Sequence, residues 1–388
     1  MEYDLVFEGG GAKGTAFAGA MLEFFRRGHS VGRLLGTSAG AISATLLAAG
    51  YSAEEMLAAL AEKVDGKSVF ASFLTPPAAL DEAALEHGSL KKLLEAHDNP
   101  LVPEVIEDLG DKSLLRALNA KRLGRFLLSF IERGGIFSAD GFVDWLQKKL
   151  NSGQTYGVNR AWGGLTLAEF SAATQKDLTV VASDTTAREM LVLNARTAPN
   201  LPVLWAVRMS MSVPLLWQEV VWQPGWGAYR GKSLAGHSVV DGGLLSNFPL
   251  ELFVSDLPSV TAVMGPKTNG NTLGLLLDDD GPVPGISAAP PPILLERFTN
   301  LLNTALEGRD KTVIAAFDGL VARLPCAGYS LTEFEMSDAR REALLAAGQA
   351  AMEKHLDRRA SRQPSFGVDE DAAAQEIANA LAERLLKR

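Results

Sequence analysis

Short runs of apolar residues alternate with longer amphipathic segments at the start of the chain. The runs YDLVF and VGRLL predict two buried strands, and the segments TAFAGAMLEFFRRG and AGAISATLLAAG predict a helix after each strand. The two helices are expected to end at Gly28 and Gly50. Strands that alternate with helices in this way predict an α/β fold with a mostly parallel sheet covered on both faces.

The middle of the chain has a different pattern. Residues 52–160 are predicted to be mainly helical, with Ser52 as the N-cap of a helix over AEEMLAALAEKV. Strand patterns return in DLTVVASD and EMLVLN, and a helix over LPVLWAVRMSMS is expected to stop before Pro214. Further strands are predicted in HSVVDGG and NTLGLLLDDD.

The last third of the chain alternates between polar and apolar stretches. GPVPGISAAPPPI, at 281–293, is predicted to be an irregular loop, followed by a helix near 295–308 and a strand near 319–323. A long helix is expected from Asp338 to about residue 358. Residues 361–388 are predicted to be a polar linker and an amphipathic helix.

Composition narrows the class of protein. The 388 residues are 47% hydrophobic and 21% charged, which is ordinary for a globular protein. A formal net charge of -9 disfavours nucleic acid as a partner and gives no global attraction to anionic membranes, although a local docking patch stays compatible with it. The single cysteine, Cys326, excludes an intrachain disulfide framework and a cysteine-rich zinc site.

Targeting signals are not visible in the sequence. The N-terminus enters a strand pattern at once, and there is no apolar run of about 18 residues. We therefore expect a protein that is cytoplasmic or peripheral to a membrane. Export by a specialised secretion system would leave no such signal, so non-classical export stays open.

A glycine-rich loop follows the first predicted strand. Gly9, Gly11 and Gly14 match the G-x-G-x-x-G spacing of a dinucleotide-binding loop. That fold needs an acidic residue about 20 positions further on to bind the ribose, and residues 24–53 contain no Asp or Glu. A Walker loop fails too, because Thr15 does not follow the lysine directly. The loop is therefore expected to present its amides to another anion.

The pentapeptide GTSAG, residues 36–40, has the pattern G-x-S-x-G between a predicted strand and helix. In a nucleophile elbow this pattern exposes the serine, here Ser38, at the end of a strand and at the N-terminus of a helix. The alternative is a structural turn bracketed by Gly36 and Gly40 with an N-capping serine. The glycine-rich loop beside the turn favours the elbow, since its amides could stabilise an oxyanion.

A nucleophilic serine needs a base. Most of the five histidines lie in polar or helical surroundings, and His237 is the least poor candidate among them. Asp241 is the better candidate, because an apolar strand delivers it to a sharp turn at Gly242 and Gly243, and catalytic groups collect at strand ends. The alternative is that Asp241 only caps this turn.

Three motifs in this order, GGGAKG, GTSAG and DGG, resemble those of the patatin-like phospholipase family. MSMSVP, Asn247 and Pro249 add to the resemblance, which covers roughly residues 4–255 and extends more weakly to about residue 355. The resemblance implies a three-layer α/β/α fold, a catalytic dyad of Ser38 and Asp241, and hydrolysis of lipid acyl esters without a metal or other cofactor. It also implies an elbow bounded by Gly36 and Gly40, a DGG motif with Gly242 and Gly243, and an oxyanion hole formed by Gly9, Gly10, Gly11, Ala12, Lys13 and Gly14, in which Lys13 fills the basic position.

The resemblance also divides the chain. Residues 4–255 are expected to form the patatin-like domain with its helical insertion at about 52–160, residues 256–360 to pack on the same domain, and 361–388 to follow as linker and helix. The amides of Gly10, Gly11 and Ala12 are the expected oxyanion donors.

The expected substrate is a phospholipid or lysophospholipid. A neutral-lipid esterase or acyltransferase with the same dyad is the alternative enzyme, and a non-catalytic lipid-binding protein is the alternative outside enzymes. Apolar segments at 69–77, 125–131 and 281–293 are candidates for contact with a membrane surface, and the last of them or the Pro76–Pro77 segment is a candidate lid. Whether a protein partner activates the enzyme stays open.

The acidic run LDDDG, residues 277–281, is the nearest approach to a calcium loop. It lacks the spaced ligands and the closing glutamate of such loops, so we interpret it as a solvated turn after a strand. Hydrolysis is expected to need no calcium or other metal.

Overall fold

The structure is a computed structural model that describes residues 1–95, 111–155, 157–267, 270–287, 314–361 and 368–386. Its central sheet contains eight strands, numbered here along the chain. They are β1 Glu2–Phe7, β2 Ser30–Thr37, β3 Leu178–Asp184, β4 Glu189–Leu193, β5 Val220–Val221, β6 Ser238–Asp241, β7 Thr272–Pro282 and β8 Val321–Ala327.

The sheet is mostly parallel, as the sequence predicts. Its order is β5-β6-β3-β2-β1-β7-β8, and β4 pairs with β3. The neighbours from β3 through β2, β1 and β7 to β8 are parallel, while β4 and β6 run antiparallel to β3 and β5 runs antiparallel to β6. Parallel strands need long crossovers, and the helices of the chain supply them.

The remaining described elements are helices and short ladders. The α-helices are Thr15–Arg26, Ala39–Ala48, Ala53–Leu60, Val69–Ser72, Glu82–His87, Ser89–Glu95, Asp111–Ala120, Arg122–Arg133, Asp140–Leu150, Leu167–Thr174, Val203–Ser210, Glu251–Val254, Pro258–Met264, Asp338–Ser361 and Val368–Leu386. The two-stranded ladders are Lys63–Val64 with Lys67–Ser68, Gln154–Thr155 with Val158–Asn159, Ala228–Tyr229 with Lys232–Ser233, and Gly135–Phe137 with Leu215–Trp217. None of the described helices is both long enough and apolar enough to span a bilayer.

Two hydrophobic clusters cover the two faces of the sheet. Along β1, Leu5 and Phe7 belong to one cluster and Val6 belongs to the other, which is the period-two alternation of a strand buried on both faces. The first cluster includes residues of Thr15–Arg26 and Asp338–Ser361, and the second includes residues of Val368–Leu386. The chain is therefore a three-layer α/β/α structure.

Several boundaries differ from the predicted ones for local reasons. Ser52 caps its helix as predicted, through a capping box with Glu55. The helix ends at Leu60 instead of continuing to Val64, because Asp65 and Gly66, with φ of 51° and 78°, turn the chain into a hairpin.

Other differences lie towards the C-terminus. The predicted strand near 319–323 is Val321–Ala327, and the last helix begins at Val368, inside the polar stretch RRASRQPSFGVDED that the sequence predicts as linker. The helix expected near 295–308 and most of the second half of the loop at 281–293 lie outside the described residues. The division of the chain into segments at residues 255 and 360 stays a prediction.

Candidate active site

Ser38 lies in a strained turn between β2 and the helix Ala39–Ala48. Its φ of 53° and ψ of -121° are unusual for a residue with a side chain, and such conformations cost about 1–3 kcal/mol. The turn is fixed by a hydrogen bond of 2.9 Å from the N–H of Ser38 to Oγ of Ser210. The strain is concentrated on the residue that the G-x-S-x-G pattern singles out.

The two glycines of this motif are required by close backbone packing. A Cβ atom on Gly36 would lie 2.3 Å from the carbonyl oxygen of Gly40, and one on Gly40 would lie 2.3 Å from the carbonyl oxygen of Phe7. Both neighbours are backbone atoms that cannot rotate away. These glycines therefore allow the helix to begin directly against the ends of β1 and β2.

We predict that Gly40→Ala destabilises the protein by about 2 kcal/mol or more, because the clash with the backbone of β1 forces the helix to move. The measurement is urea unfolding followed by circular dichroism. Gly164→Ala is the matched control, since a Cβ there meets nothing within 4 Å. Equal stability of the two variants would contradict the packing argument.

Ser210 is a supporting residue that the sequence did not reveal. It ends the buried helix Val203–Ser210, accepts the hydrogen bond from Ser38, and donates one of 2.6 Å to the carbonyl oxygen of Val181 in β3. The segment MSMSVP contributed only to the family resemblance. A small hydroxyl side chain at the buried end of an apolar helix is the signal that could have identified it.

Asp241 is the last residue of β6. Its N–H donates to the carbonyl oxygen of Ser212, at 2.9 Å, and its Oδ1 accepts from the N–H of Gly243, at 2.7 Å. A Cβ on Gly242 would lie 2.3 Å from the carbonyl oxygen of Val181, so the turn after Asp241 needs a glycine there. Asp241 thus caps the turn, and this role uses only one of its two carboxyl oxygens.

The second oxygen of Asp241 is in a different situation. Its Oδ2 is buried, and no residue that the structure describes lies within hydrogen-bond distance and angle of it. Burial raises the pKa of Asp241 to about 7, against the opposing effects of the Ser38 hydroxyl and the Gly243 N–H. The raised pKa of Asp241 therefore lies near neutral pH, and the Ser38 hydroxyl is one of the groups that act on this carboxyl group.

The glycine-rich loop begins beside Ser38. A Cβ on Gly9 would lie 3.1 Å from Cβ of Ser38 and 2.2 Å from Oδ1 of Asn247. The Asn247 side chain donates to the carbonyl oxygen of Gly9, at 3.0 Å, and its backbone carbonyl accepts from the N–H of Gly9, at 3.2 Å. Asn247 therefore holds the start of the loop against the elbow.

The amides of the loop are not equivalent. The N–H of Ala12 donates to the carbonyl oxygen of Leu331, at 2.9 Å, which corrects the expectation that Ala12 is an oxyanion donor. Gly11 has a φ of 53° and approaches the same carbonyl so closely that a Cβ would lie 2.2 Å from it. Within the described ranges, the N–H groups of Gly10 and Gly11 have no protein acceptor. Two amides remain for an anion.

The other two residues of the predicted loop have structural contacts. The buried Nζ of Lys13 lies 2.5 Å from Oδ1 of Asp279, and its N–H donates to the carbonyl oxygen of Gly10, at 3.1 Å. A Cβ on Gly14 would lie 3.1 Å from Cβ of Ala39, on the elbow helix. The acidic run LDDDG lies in β7 and not in a turn after it, although Asp279 and Asp280 are exposed to solvent as predicted. Asp279 also pairs with the loop lysine.

These residues share one cavity of about 790 Å³, a size typical of ligand sites. Ser38, Asp241 and the loop residues Gly9, Gly10 and Gly11 line it, and its other charged lining residues are Glu8, Lys13, Asp278, Asp279, Asp280 and Arg323. Its remaining walls are mainly apolar and include Leu60, Phe70, Phe73, Phe130, Ile136, Met211, Leu216, Trp217, Leu244, Leu276, Leu277 and Phe334. The site combines a few convergent polar groups with a large apolar volume.

The alternative base, His237, does not line the cavity that contains Ser38. Its Nδ1 lies 2.7 Å from Oδ2 of Asp184, at the opposite end of β6 from Asp241 and about 13 Å away along an extended strand. None of the four described histidines lines the cavity, and His97 lies outside the described residues. Among the described residues, no group of three or more His, Cys, Asp or Glu could hold a metal ion.

Comparison with known proteins gives the family. A sequence model of the family described as patatin-like phospholipase matches residues 5–254, which include the glycine-rich loop, Ser38 and Asp241. The chain belongs to the patatin-like phospholipase family. This patatin-like chain is also 28% identical over 365 residues to the uncharacterized protein YqhO of Bacillus subtilis (strain 168), across 92% of this chain and 98% of YqhO.

Among solved structures, the patatin-like chain is similar to VipD from Legionella pneumophila, with 18% identity and a TM-score of 0.46 over 92% of this chain and 67% of VipD. It is also similar to the type III effector protein ExoU, with 19% identity and a TM-score of 0.41 over 99% of this chain. The chain spans 61% of that ExoU chain. ExoU from the type III secretion system of Pseudomonas aeruginosa has also been solved in complex with SpcU.

Proposed function

We propose that this protein is a lipid acyl hydrolase of the phospholipase A or lysophospholipase type, with Ser38 as nucleophile and Asp241 as base. The observation that carries the proposal is the buried Asp241 carboxyl group, with a pKa raised to about 7, beside a strained serine in an apolar cavity. Membership in the patatin-like phospholipase family supports the same class of reaction.

The first half of the proposed reaction forms an acyl-enzyme. Oδ2 of Asp241 accepts the hydroxyl proton of Ser38 as its Oγ attacks the ester carbonyl carbon. The carbonyl oxygen becomes an oxyanion that accepts hydrogen bonds from the N–H groups of Gly10 and Gly11, each contributing about 10²–10³ in rate. When the tetrahedral intermediate collapses, the C–O bond of the ester breaks and the leaving alkoxide takes the proton from Asp241.

The second half releases the fatty acid. Asp241 accepts a proton from a water molecule, and the oxygen of this water attacks the acyl carbon of the Ser38 ester. The same two amides stabilise the second oxyanion. Its collapse breaks the bond to Oγ, and the proton on Asp241 returns to Ser38, so the enzyme is regenerated without any other group.

An aspartate can serve as this base because of its environment. An ordinary aspartate, with a pKa of about 3.9, is a weak base at neutral pH. Burial raises the pKa of Asp241 to about 7, so the carboxylate has a much higher proton affinity at the pH where it works. The apolar cavity therefore accounts for both acyl-chain binding and the strength of the base.

The pH dependence tests this part of the proposal. Because only the carboxylate form accepts a proton, kcat/KM on a soluble short-chain ester is expected to rise with pH and to level off above an apparent pKa of about 7. Activity should fall about tenfold for each pH unit below 6. Circular dichroism at each pH controls for unfolding, and a rate that stays constant down to pH 5 would contradict Asp241 as a base in this environment.

Product analysis tests the class of substrate. Wild type is incubated separately with phospholipid vesicles, lysophospholipid and a triacylglycerol emulsion, each with and without an added alcohol, and the products are separated by mass spectrometry. Free fatty acid from phospholipid or lysophospholipid supports the proposal. Preferred cleavage of triacylglycerol indicates a neutral-lipid esterase, acyl transfer to the alcohol in preference to water indicates an acyltransferase, and lipid binding without turnover indicates a non-catalytic protein.

A further inference from the structure

The helix Arg122–Arg133 leaves one apolar face uncovered. Leu123, Leu127 and Phe130, spaced four and three residues apart, lie on one side and are 82%, 47% and 40% exposed. Leu128, between them in sequence, is buried. Single exposed apolar residues are common on protein surfaces, but three in register on one helix form a continuous stripe.

This stripe leads to the cavity that contains Ser38. A groove of about 500 Å³ runs beside the helix, and its lining includes all three stripe residues. Phe130 and Ile136 line both this groove and the cavity of the candidate active site. The apolar surface outside the protein is therefore continuous with the apolar interior of the site.

The segment that carries the stripe, residues 121–133, has a net charge opposite in sign to that of the whole chain. Residues 121–133 contain four basic residues and one acidic residue, a net charge of +3, whereas the whole chain has -9. Lys121, Arg122 and Arg133 are exposed, and no ion pair joins them to any residue that the structure describes. The acidic residue, Glu132, accepts hydrogen bonds from two backbone N–H groups in the neighbouring helix Ser89–Glu95.

We propose that the helix Arg122–Arg133 docks this protein on an anionic phospholipid bilayer. Leu123, Leu127 and Phe130 insert among the acyl chains, and Lys121 and Arg122 contact the headgroup phosphates. An amphipathic helix with Leu and Phe on one face and basic residues at its border is typical of interfacial binding, and basic residues near an anionic surface strengthen that binding.

The continuity with the cavity distinguishes a bilayer from a protein as the partner. A protein partner would cover the stripe, whereas a bilayer supplies chains that can pass Phe130 and Ile136 to reach the cavity without crossing water. The inference rests on the proposed lipid acyl hydrolase activity. Docking has its own readout, however, because binding can be measured on protein that cannot turn over.

The test uses the full chain carrying Ser38→Ala, so that the vesicles stay intact. Flotation is measured with vesicles of phosphatidylglycerol and phosphatidylcholine and with vesicles of phosphatidylcholine alone. Leu123→Glu with Leu127→Glu is expected to weaken binding to the anionic vesicles at least tenfold. Val64→Glu with Val158→Glu is the matched control, since it adds the same charge at two exposed apolar residues in other parts of the fold and is expected to bind as before.

A second pair of substitutions tests how much the basic residues contribute to vesicle binding. Lys121→Glu with Arg122→Glu is expected to remove the preference for anionic vesicles, as is a rise in salt that screens the phosphates.

If the leucine pair binds the vesicles as tightly as its parent, or if the stripe instead mediates a dimer that the pair disrupts, the docking proposal is wrong. In protein that keeps Ser38, the variant with both leucine substitutions is expected to cleave a soluble ester at the wild-type rate. It is expected to cleave vesicle lipid at least tenfold more slowly than wild type. Absence of turnover on both substrates in wild type would refute the proposed function while leaving the binding result to decide the docking.

Discussion

Ser38→Ala is expected to lower ester hydrolysis by at least about 10⁴-fold while the protein stays folded. The variant lacks the oxygen that attacks the ester in the proposed mechanism, and the hydroxyl group of the neighbouring Thr37 donates to the carbonyl oxygen of Ser246. The backbone N–H of residue 38 keeps its bond to Ser210, and Oγ of Ser38 forms no hydrogen bond on which packing in the described residues depends. The measurement is hydrolysis of a soluble ester and of phospholipid vesicles by protein whose unfolding transition matches wild type.

Ser43→Ala is the matched control for this experiment. Ser43 lines the same cavity and lies on the same helix, but it does not occupy the turn. It is expected to keep activity within a few fold of wild type. A fluorophosphonate probe should label wild type at Ser38 and leave the Ala variant unlabelled; near-normal turnover by Ser38→Ala would show that another group is the nucleophile.

Much of the site could be predicted because its geometry needs particular residues close together in sequence. The turn at Ser38 needs Gly36 and Gly40, since a Cβ at either position would meet backbone atoms at 2.3 Å. The end of β6 needs Gly242 for the same reason. Such requirements leave short motifs that a single sequence displays. Local alternation of strands and helices likewise predicted the mostly parallel sheet.

The contacts that could not be predicted join residues far apart in the chain. Ser210 fixes Ser38 from 172 positions away, and Asp279 pairs with Lys13 across 266 positions. The N–H of Ala12 likewise donates to the carbonyl oxygen of Leu331, which is distant in the sequence. No periodicity within a short window reports these contacts, because they exist only once the sheet has brought the ends of β2, β7 and β8 together.

The acidic run at 277–281, within β7, illustrates the same limit. Three consecutive aspartates usually indicate a segment exposed to solvent, and so the sequence predicted a turn at 277–281. Pairing with β8, where Asp278 lies opposite Pro325, extends the strand through this run. The buried Lys13 then accounts for Asp279, since a buried ammonium group needs an opposite charge. Strand pairing therefore replaced the predicted turn, while Asp279 and Asp280 stay exposed to solvent as the sequence predicts.

Asp241→Asn is expected to lower hydrolysis of a soluble ester by about 10³-fold or more, because a neutral amide cannot accept the proton of Ser38. The carbonyl oxygen of the new side chain can still accept the hydrogen bond from Gly243, so the turn after β6 is preserved. Loss of activity with an intact fold would therefore report the chemistry of the carboxylate. Comparable activity in this variant would exclude Asp241 as the base.

The same substitution is expected to stabilise the protein at alkaline pH. The folded pKa of Asp241, about 7, lies above the unfolded value of about 3.9, so the stability of wild type declines as pH rises between these two values. An amide at this position carries no such cost. In urea unfolding, Asp241→Asn should therefore exceed wild type by a few kcal/mol at pH 8 and by much less at pH 5. Asp144→Asn, at an exposed carboxylate on the helix Asp140–Leu150, is the control and should change little at either pH. If Asp241→Asn were less stable than wild type at pH 8, the carboxylate would be well solvated or paired, and the physical basis for its strength as a base would be lost.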